Sequence, residues 1–312
     1  MVDDDCELIF PLVPSRRLVG AAFGGFASSR RGTGSDVAGA RPYAPGDDVK
    51  LIDWAASARL SSARGTDAFL VHEHFADESP EVLVVIDRRP SMALYRPPLP
   101  WLDKAAAQRT ATRAIAASAR AARGLVGFLA AGEPGTGLHD WVSPRSRSGL
   151  RPAEDGWDEL PPHDAADESL EELLDHLVGL RGALPPGSFV FVVSDFLAPP
   201  PATTWLALHE RSWDIVPVIV QDPTWERSFP ELPTVTLPVA RAGGGDVALV
   251  RIGAAESRRR RRANEGRGAA LAEELGSLGL APEHVTDGAP RAVLRAFLDW
   301  ADERTLARGG SW

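Results

Sequence analysis

The chain has one cysteine, Cys6, among 312 residues. No intrachain disulfide can form, which fits a reducing compartment. No stretch approaches the roughly 18 consecutive apolar residues of a membrane helix. The opening Met1-Val-Asp-Asp-Asp5 is acidic, the reverse of a signal peptide's basic start. Lys and Arg total 34 against 43 Asp and Glu, a net charge of −9. That balance disfavours general affinity for nucleic acid or anionic lipid. There is no Gly-x-x-x-x-Gly-Lys-Ser/Thr loop, no Gly-x-Gly-x-x-Gly after a strand and no Gly-x-Ser-x-Gly elbow. The signatures of phosphate cradles and nucleophile elbows are therefore missing. These absences lead us to expect a soluble, cytoplasmic protein.

What is present is a globular composition, 44% hydrophobic and 25% charged. The length allows one large α/β domain plus a smaller one. The densest signal is Glu81-Val-Leu-Val-Val-Ile-Asp87-Arg-Arg-Pro-Ser91-Met92. Five apolar residues, Val82 to Ile86, read as a strand buried on both faces. A second such run, Phe189 to Val193, leads into Ser194-Asp195.

Between and after these runs, strands alternate with helices. Helices are expected over Trp101–Arg123, stopped by Gly124, and over Glu168–Leu180, where five leucines recur at helical spacing. Others are expected near Thr203–Arg211, Ala254–Leu278 and Pro290–Arg304. Strands are expected at 125–130, 138–143 (an antiparallel edge) and 214–220, with a hairpin over 233–252. Alternation of this kind gives an α/β fold with a doubly wound, mostly parallel sheet. Residues 1–77 read as a β-rich N-terminal extension, 78–305 as the main domain and 306–312 as a tail. Within the extension, Leu8–Val13 and Asp67–Phe75 read as strands and Arg30–Gly34 as loop.

In an open parallel sheet, ligands sit at the carboxyl ends of the strands. Asp87 and Asp195 end two buried strands and so face the same edge. With Ser91, Ser194 and Ser169 they form a hard-oxygen set suited to magnesium or calcium. This constellation resembles the metal-ion-dependent adhesion site of von Willebrand factor A domains. That site takes Asp-x-Ser-x-Ser after the first strand, a Thr from a later loop and a further Asp. Upstream, Arg41-x-Tyr43-x-Pro45-Gly46-Asp47-Asp48, Ile52-Asp53-Trp54 and Ser57-Ala58-Arg59 resemble the signature of the domain of unknown function 58 family. So does Ser194-Asp195-Phe196. The resemblance implies a von Willebrand factor A-like domain joined to this signature. It also implies a MoxR-type AAA ATPase as partner, with other products of the same operon. Many members carry two membrane helices ahead of the signature, and no such run precedes it here.

Two departures bear on the site. Arg89 stands where the pattern has its middle Ser, and only Ser169 or Asp167 is available for the Thr. Arg89 is permanently cationic and bonds carboxylates in a fork. The metal site is therefore expected to be degenerate, with Arg89 folded onto Asp87, Asp195 or both and no cofactor required. The main expectation is a non-enzymatic adaptor; the alternative is a magnesium-dependent hydrolase using Asp87 and Asp195. Asp53, Trp54, Arg59 and Trp157 are the candidate contact residues. His72-x-His74 shares one strand face and reads as an ordinary strand pair. The five arginines Arg258 to Arg262 read as a solvated helix, with phosphate contact as the rival.

Overall fold

The computed structural model describes residues 8–15, 31–43, 52–64, 69–75, 80–132, 139–145, 163–180, 182–239, 242 and 246–309. The chain forms two compact units, Arg16–Pro80 and Met1–Ser15 with Glu81–Trp312.

In the smaller unit, strand β1 (Arg31–Pro42) pairs antiparallel with β2 (Leu70–Phe75). The loop expected at Arg30–Gly34 is thus largely strand. Its glycines coincide with register shifts between Gly32 and Gly39, where the ladder is irregular. Helix α1 (Trp54–Arg64) lies between the strands in sequence. It was not expected, because Ala and Ser fill most of it and no apolar stripe marks one face. Its signal is the cap: the Asp53 carboxylate accepts the Ala56 N–H at 2.9 Å. Buried Ser57 accepts the Leu70 N–H at 2.8 Å and ties α1 to β2. His72 and His74 both fall on β2. Asp53→Ala should cost about 1 kcal/mol, the usual worth of an N-cap. Amide exchange along Trp54–Arg64 would speed up; unchanged exchange would mean that the cap does not hold the helix.

The larger unit runs β3 (Glu81–Ile86), α2 (Lys104–Ala121), β4 (Leu125–Ala131), β5 (His139–Val142), α3 (Ser169–Gly179), β6 (Phe189–Ser194), α4 (Ala202–Glu210) and β7 (Asp214–Val220). It continues with β8 (Val235–Val239), β9 (Ala248–Ile252), α5 (Ala254–Ser277), β10 (Glu283–Val285) and α6 (Pro290–Gly309). One sheet has the order β10-β7-β6-β3-β4-β5, parallel except for β5; β8 and β9 form a separate hairpin. This is the α/β architecture with a doubly wound, mostly parallel sheet that the alternation of strands and helices indicates. Strands β3, β6 and β7 are buried along their whole length, which explains their unbroken apolar runs. On one face Val82, Val84 and Ile86 join a core with α2 and α6. On the other, Leu83 and Val85 join one with α3, α4 and α5.

Three boundaries differ from the sequence reading. Residues 8–15 are not a strand and group with the larger unit. Pro11 and Pro14 deny them a ladder, and Phe10 instead stacks on Phe297 at 4.4 Å and donates its N–H to Ser118 Oγ at 2.9 Å. Helix α6 continues through part of the stretch read as a tail. At the end of α2, Arg123 rather than Gly124 takes the left-handed turn (φ 56°), while Gly124 N–H bonds the Ala119 carbonyl at 2.7 Å.

Candidate functional site

Strands β3 and β6 are neighbours, with Ile86 opposite Val193. The chain winds from β3 to β4 on one side and later returns to β6 on the other. The β3–β6 boundary is therefore the topological switch point, where an open sheet leaves a crevice for ligands. Asp87 and Asp195 flank it, both fully buried.

The crevice is occupied by the chain's own cations. The Arg89 guanidinium folds back on Asp87: Nε lies 3.0 Å from both carboxylate oxygens and Nη2 lies 2.7 Å from Oδ2. Asp87 also accepts the Arg89 N–H at 2.9 Å and the Ser194 hydroxyl at 2.7 Å. Arg89 Nη2 lies 3.6 Å from Asp195 Oδ1, and Nη1 donates to the Ala198 carbonyl at 2.8 Å. Arg88 turns away, bonding the Ala131 carbonyl and Asp164 and standing 3.6 Å from Asp140.

A second cation completes the arrangement. Lys104, the first residue of α2, is fully buried, with Nζ 2.7 Å from both Asp195 Oδ2 and Glu226 Oε1. Asp195 Oδ1 accepts the Leu197 N–H at 3.0 Å, and Ser91 also bonds this carboxylate. Gln108 and Gln221 brace the two strand ends, donating to the Asp87 and Asp195 carbonyls at 2.8 and 2.6 Å. Burial alone would raise the Asp195 pKa, but Lys104, Ser91 and the Leu197 N–H outweigh it and hold it below the usual value. At Glu226 burial prevails over Lys104 and its carboxyl sits above the usual value. Asp195 is thus the ionised partner of Lys104. His163, bonded to Gln108 at 3.0 Å, is lowered to about 4 by burial and is neutral at physiological pH.

The structure brings together Asp87, Arg89, Ser91, Ser194 and Asp195. Ser169 opens α3; its hydroxyl is buried and has no partner among the described residues. Trp157 lies outside the described residues. Trp54 and Arg59 are exposed on α1 in the smaller unit, Trp54 edge-on to Phe69 at 6.1 Å. Sequence reasoning missed Lys104 and Glu226. A lysine in the first turn of a helix opposes the macrodipole, but that local mark does not say which carboxylate offsets it. Glu226 carries no such local mark; it is delivered by the loop after β7.

That loop gives the arginine run a role. Arg261, Asn264 and Arg267 line one face of α5 and donate to the carbonyls of Phe229, Trp225 and Glu226 at 2.9, 3.0 and 2.9 Å. Arg260 lies over the Phe229 ring at 5.6 Å, and Arg259 pairs with Glu256 at 2.7 Å. Arg258 and Arg262 are exposed. The run is therefore in part a clamp on the loop carrying Glu226.

The donor set does not fit a divalent metal. Each carboxylate oxygen of Asp87 and Asp195 already accepts a bond from a cation or N–H, and an ion would have to displace Arg89 or Lys104. Among the described residues, no group of three His, Cys, Asp or Glu is arranged to hold a metal ion.

A family model described as protein of unknown function DUF58 matches residues 39–269. The chain belongs to the DUF58 family. The DUF58 match begins in β1 of the smaller unit and ends in α5 of the larger, so it takes in both the Tyr43–Arg59 motif and the crevice. No curated protein matches the chain. Among solved structures, this DUF58 chain is similar to the conserved hypothetical protein BatB from Bacteroides thetaiotaomicron (13% identity, 72% of this chain and 99% of that one, TM-score 0.40). It is also similar to an aerotolerance-related membrane protein from Bacteroides fragilis (10% identity, 72% and 99%, TM-score 0.42). A third is the pilus adhesin SpaC from Lactobacillus rhamnosus GG (11% identity, 73% and 31%, TM-score 0.37). Among the described residues, no helix is long and apolar enough to cross a membrane.

Proposed function

We propose that this DUF58 chain is a non-enzymatic protein-interaction module, a cytoplasmic adaptor for a MoxR-type AAA ATPase in chaperone-like assembly or remodelling. The observation that supports this best is the self-filled crevice. A hydrolase built on Asp87 and Asp195 needs free carboxylate oxygens to hold magnesium over a phosphate or ester. Here those oxygens face Arg89, Lys104, Ser91, Ser194 and backbone N–H groups. A site closed in this way leaves the sheet's carboxyl edge as a contact surface. The ATPase partner rests on the family resemblance of the Arg41–Arg59 and Ser194-Asp195-Phe196 motifs, and the nucleotide chemistry then belongs to that partner.

Affinity capture of the tagged chain at native levels, with ATP and without it, tests the reading. An AAA ATPase should be recovered, in an amount that changes with nucleotide. Capture without any AAA ATPase would overturn the partnership. Magnesium-dependent esterase or phosphatase activity abolished by Asp87→Asn would instead establish the hydrolase alternative.

A further inference from the structure

A cleft of about 290 Å³ opens between α5, β10 and the loop after β7. Ile219, Leu271 and Pro282 give it an apolar floor. Two cationic or proton-donating side chains, Arg227 and His284, line it as well. Neither side chain has a hydrogen bond or ion pair among the described residues. Both line the same cleft, where burial, and after it the Arg227 charge, hold the His284 pKa below its usual value, so the imidazole is neutral and serves as an N–H donor. A guanidinium with no ion pair among the described residues, beside an imidazole N–H and apolar carbon, is a setting that suits an anion.

We propose that this cleft binds a carboxylate carried on a short apolar body, with Arg227 and His284 taking the carboxylate and Ile219 and Leu271 the tail. The inference is independent of the ATPase reading. A guanidinium presents the fork geometry that a carboxylate matches. Glu265 also lines the cleft, and its charge disfavours a dianionic phosphate. The volume sits at or below the lower end for small-molecule pockets, roughly 300 Å³, and is too small for a dinucleotide. Gln221 connects the cleft to the buried cluster, since it lines the former and donates to the Asp195 carbonyl at 2.6 Å. The carboxylate can come from a free short-chain acid or from the C-terminus of a partner polypeptide.

Gly268 lines the cleft, and a Cβ added there would meet nothing within 4 Å. Gly268→Leu should therefore fill the cleft without a backbone clash and should raise the melting temperature, because glycine is a poor helix former. Gly266, equally open but outside the cleft lining, supplies the control. Titration calorimetry with hexanoate on the full chain at fixed ionic strength should give saturable binding, with hexan-1-ol binding far more weakly. Arg227→Ala and Gly268→Leu should each weaken hexanoate by about tenfold or more, the worth of one charge-assisted bond pair or of the occupied volume. Gly266→Leu should leave binding intact, and Glu265→Gln should tighten it. A peptide ending in free leucine, compared with its amide, separates the two sources. Tighter binding of the free peptide than of hexanoate assigns a polypeptide terminus, and weaker binding assigns a free acid. No hexanoate binding, equal binding by Gly268→Leu, or equal binding of the alcohol would overturn the proposal.

Discussion

Lys104→Met should destabilise the larger unit by a large share of its stability at neutral pH. The substitution keeps most of the aliphatic volume and removes only the charge. Asp195 and Glu226 would then face each other in a buried site, each having lost a 2.7 Å contact. Removing one partner of a buried pair typically costs about 3–5 kcal/mol, and here one lysine serves two carboxylates. That is a large share of the about 5–15 kcal/mol that holds a domain together. The pH dependence has a definite sign. In the native chain Asp195 is held below its usual pKa, so its contribution is present above the unfolded value and is lost on acidification. In the variant, burial raises both carboxyls, with only Arg89, 3.6 Å from Asp195 Oδ1, left to offset it. Their contribution is then complete below the unfolded value and is lost as pH rises through the folded one, so the variant should be most stable in mild acid and fail toward alkaline pH. Adding Glu226→Gln to Lys104→Met should recover part of the loss. Thermal melts between mildly acidic and mildly alkaline pH measure all of this. A variant that melts like the native chain at neutral pH would show that Lys104 is not the counter-charge of this cluster.

The central strands β3 and β6 were legible because they are short, apolar and uninterrupted, and because each leads into an aspartate that cannot continue a buried strand. Asp87 and Asp195 could be placed at one edge from the alternation of elements alone. Arg89 could be recognised from the one position where a hydroxyl was expected. Lys104 and Glu226 could not, because they reach the site from α2 and from the loop after β7. Their positions depend on how far α2 starts from β3 and on the clamp that Arg261, Asn264 and Arg267 exert on that loop. Those are tertiary distances, and periodicity carries no record of them. Helix α1 was missed for a local reason. Its residues from Trp54 to Arg64 have helix-forming alanines but no apolar face, and the Asp53 cap was the only mark. Strand β10 has three residues, too few for a period of two to register.

Arg89→Ser should convert the crevice into a magnesium site. The buried cluster now holds three carboxylates, Asp87, Asp195 and Glu226, against two cations, Arg89 and Lys104. Taking away the guanidinium raises the excess negative charge and restores the Asp87-x-Ser-x-Ser91 order of hydroxyls. It frees both oxygens of Asp87 except for the Ser194 hydroxyl bond and the following backbone N–H. Oxygen donors of this kind, with water completing an octahedron, are what magnesium takes. Lys104 remains on Asp195, so the ion should lean toward Asp87 and bind more weakly than in a site built for it. Without magnesium the variant should melt below the native chain, because Asp87 has lost its counter-charge in a dry pocket. With magnesium at about a hundred times its dissociation constant, linkage should return about 2.7 kcal/mol. Arg89→Lys, which keeps the charge, should show no such recovery. Calorimetric titration and melting curves with and without magnesium separate the outcomes. If the native chain is stabilised by magnesium as strongly as Arg89→Ser, the guanidinium is not standing in for an ion, and Asp87 regains its candidacy as a catalytic ligand.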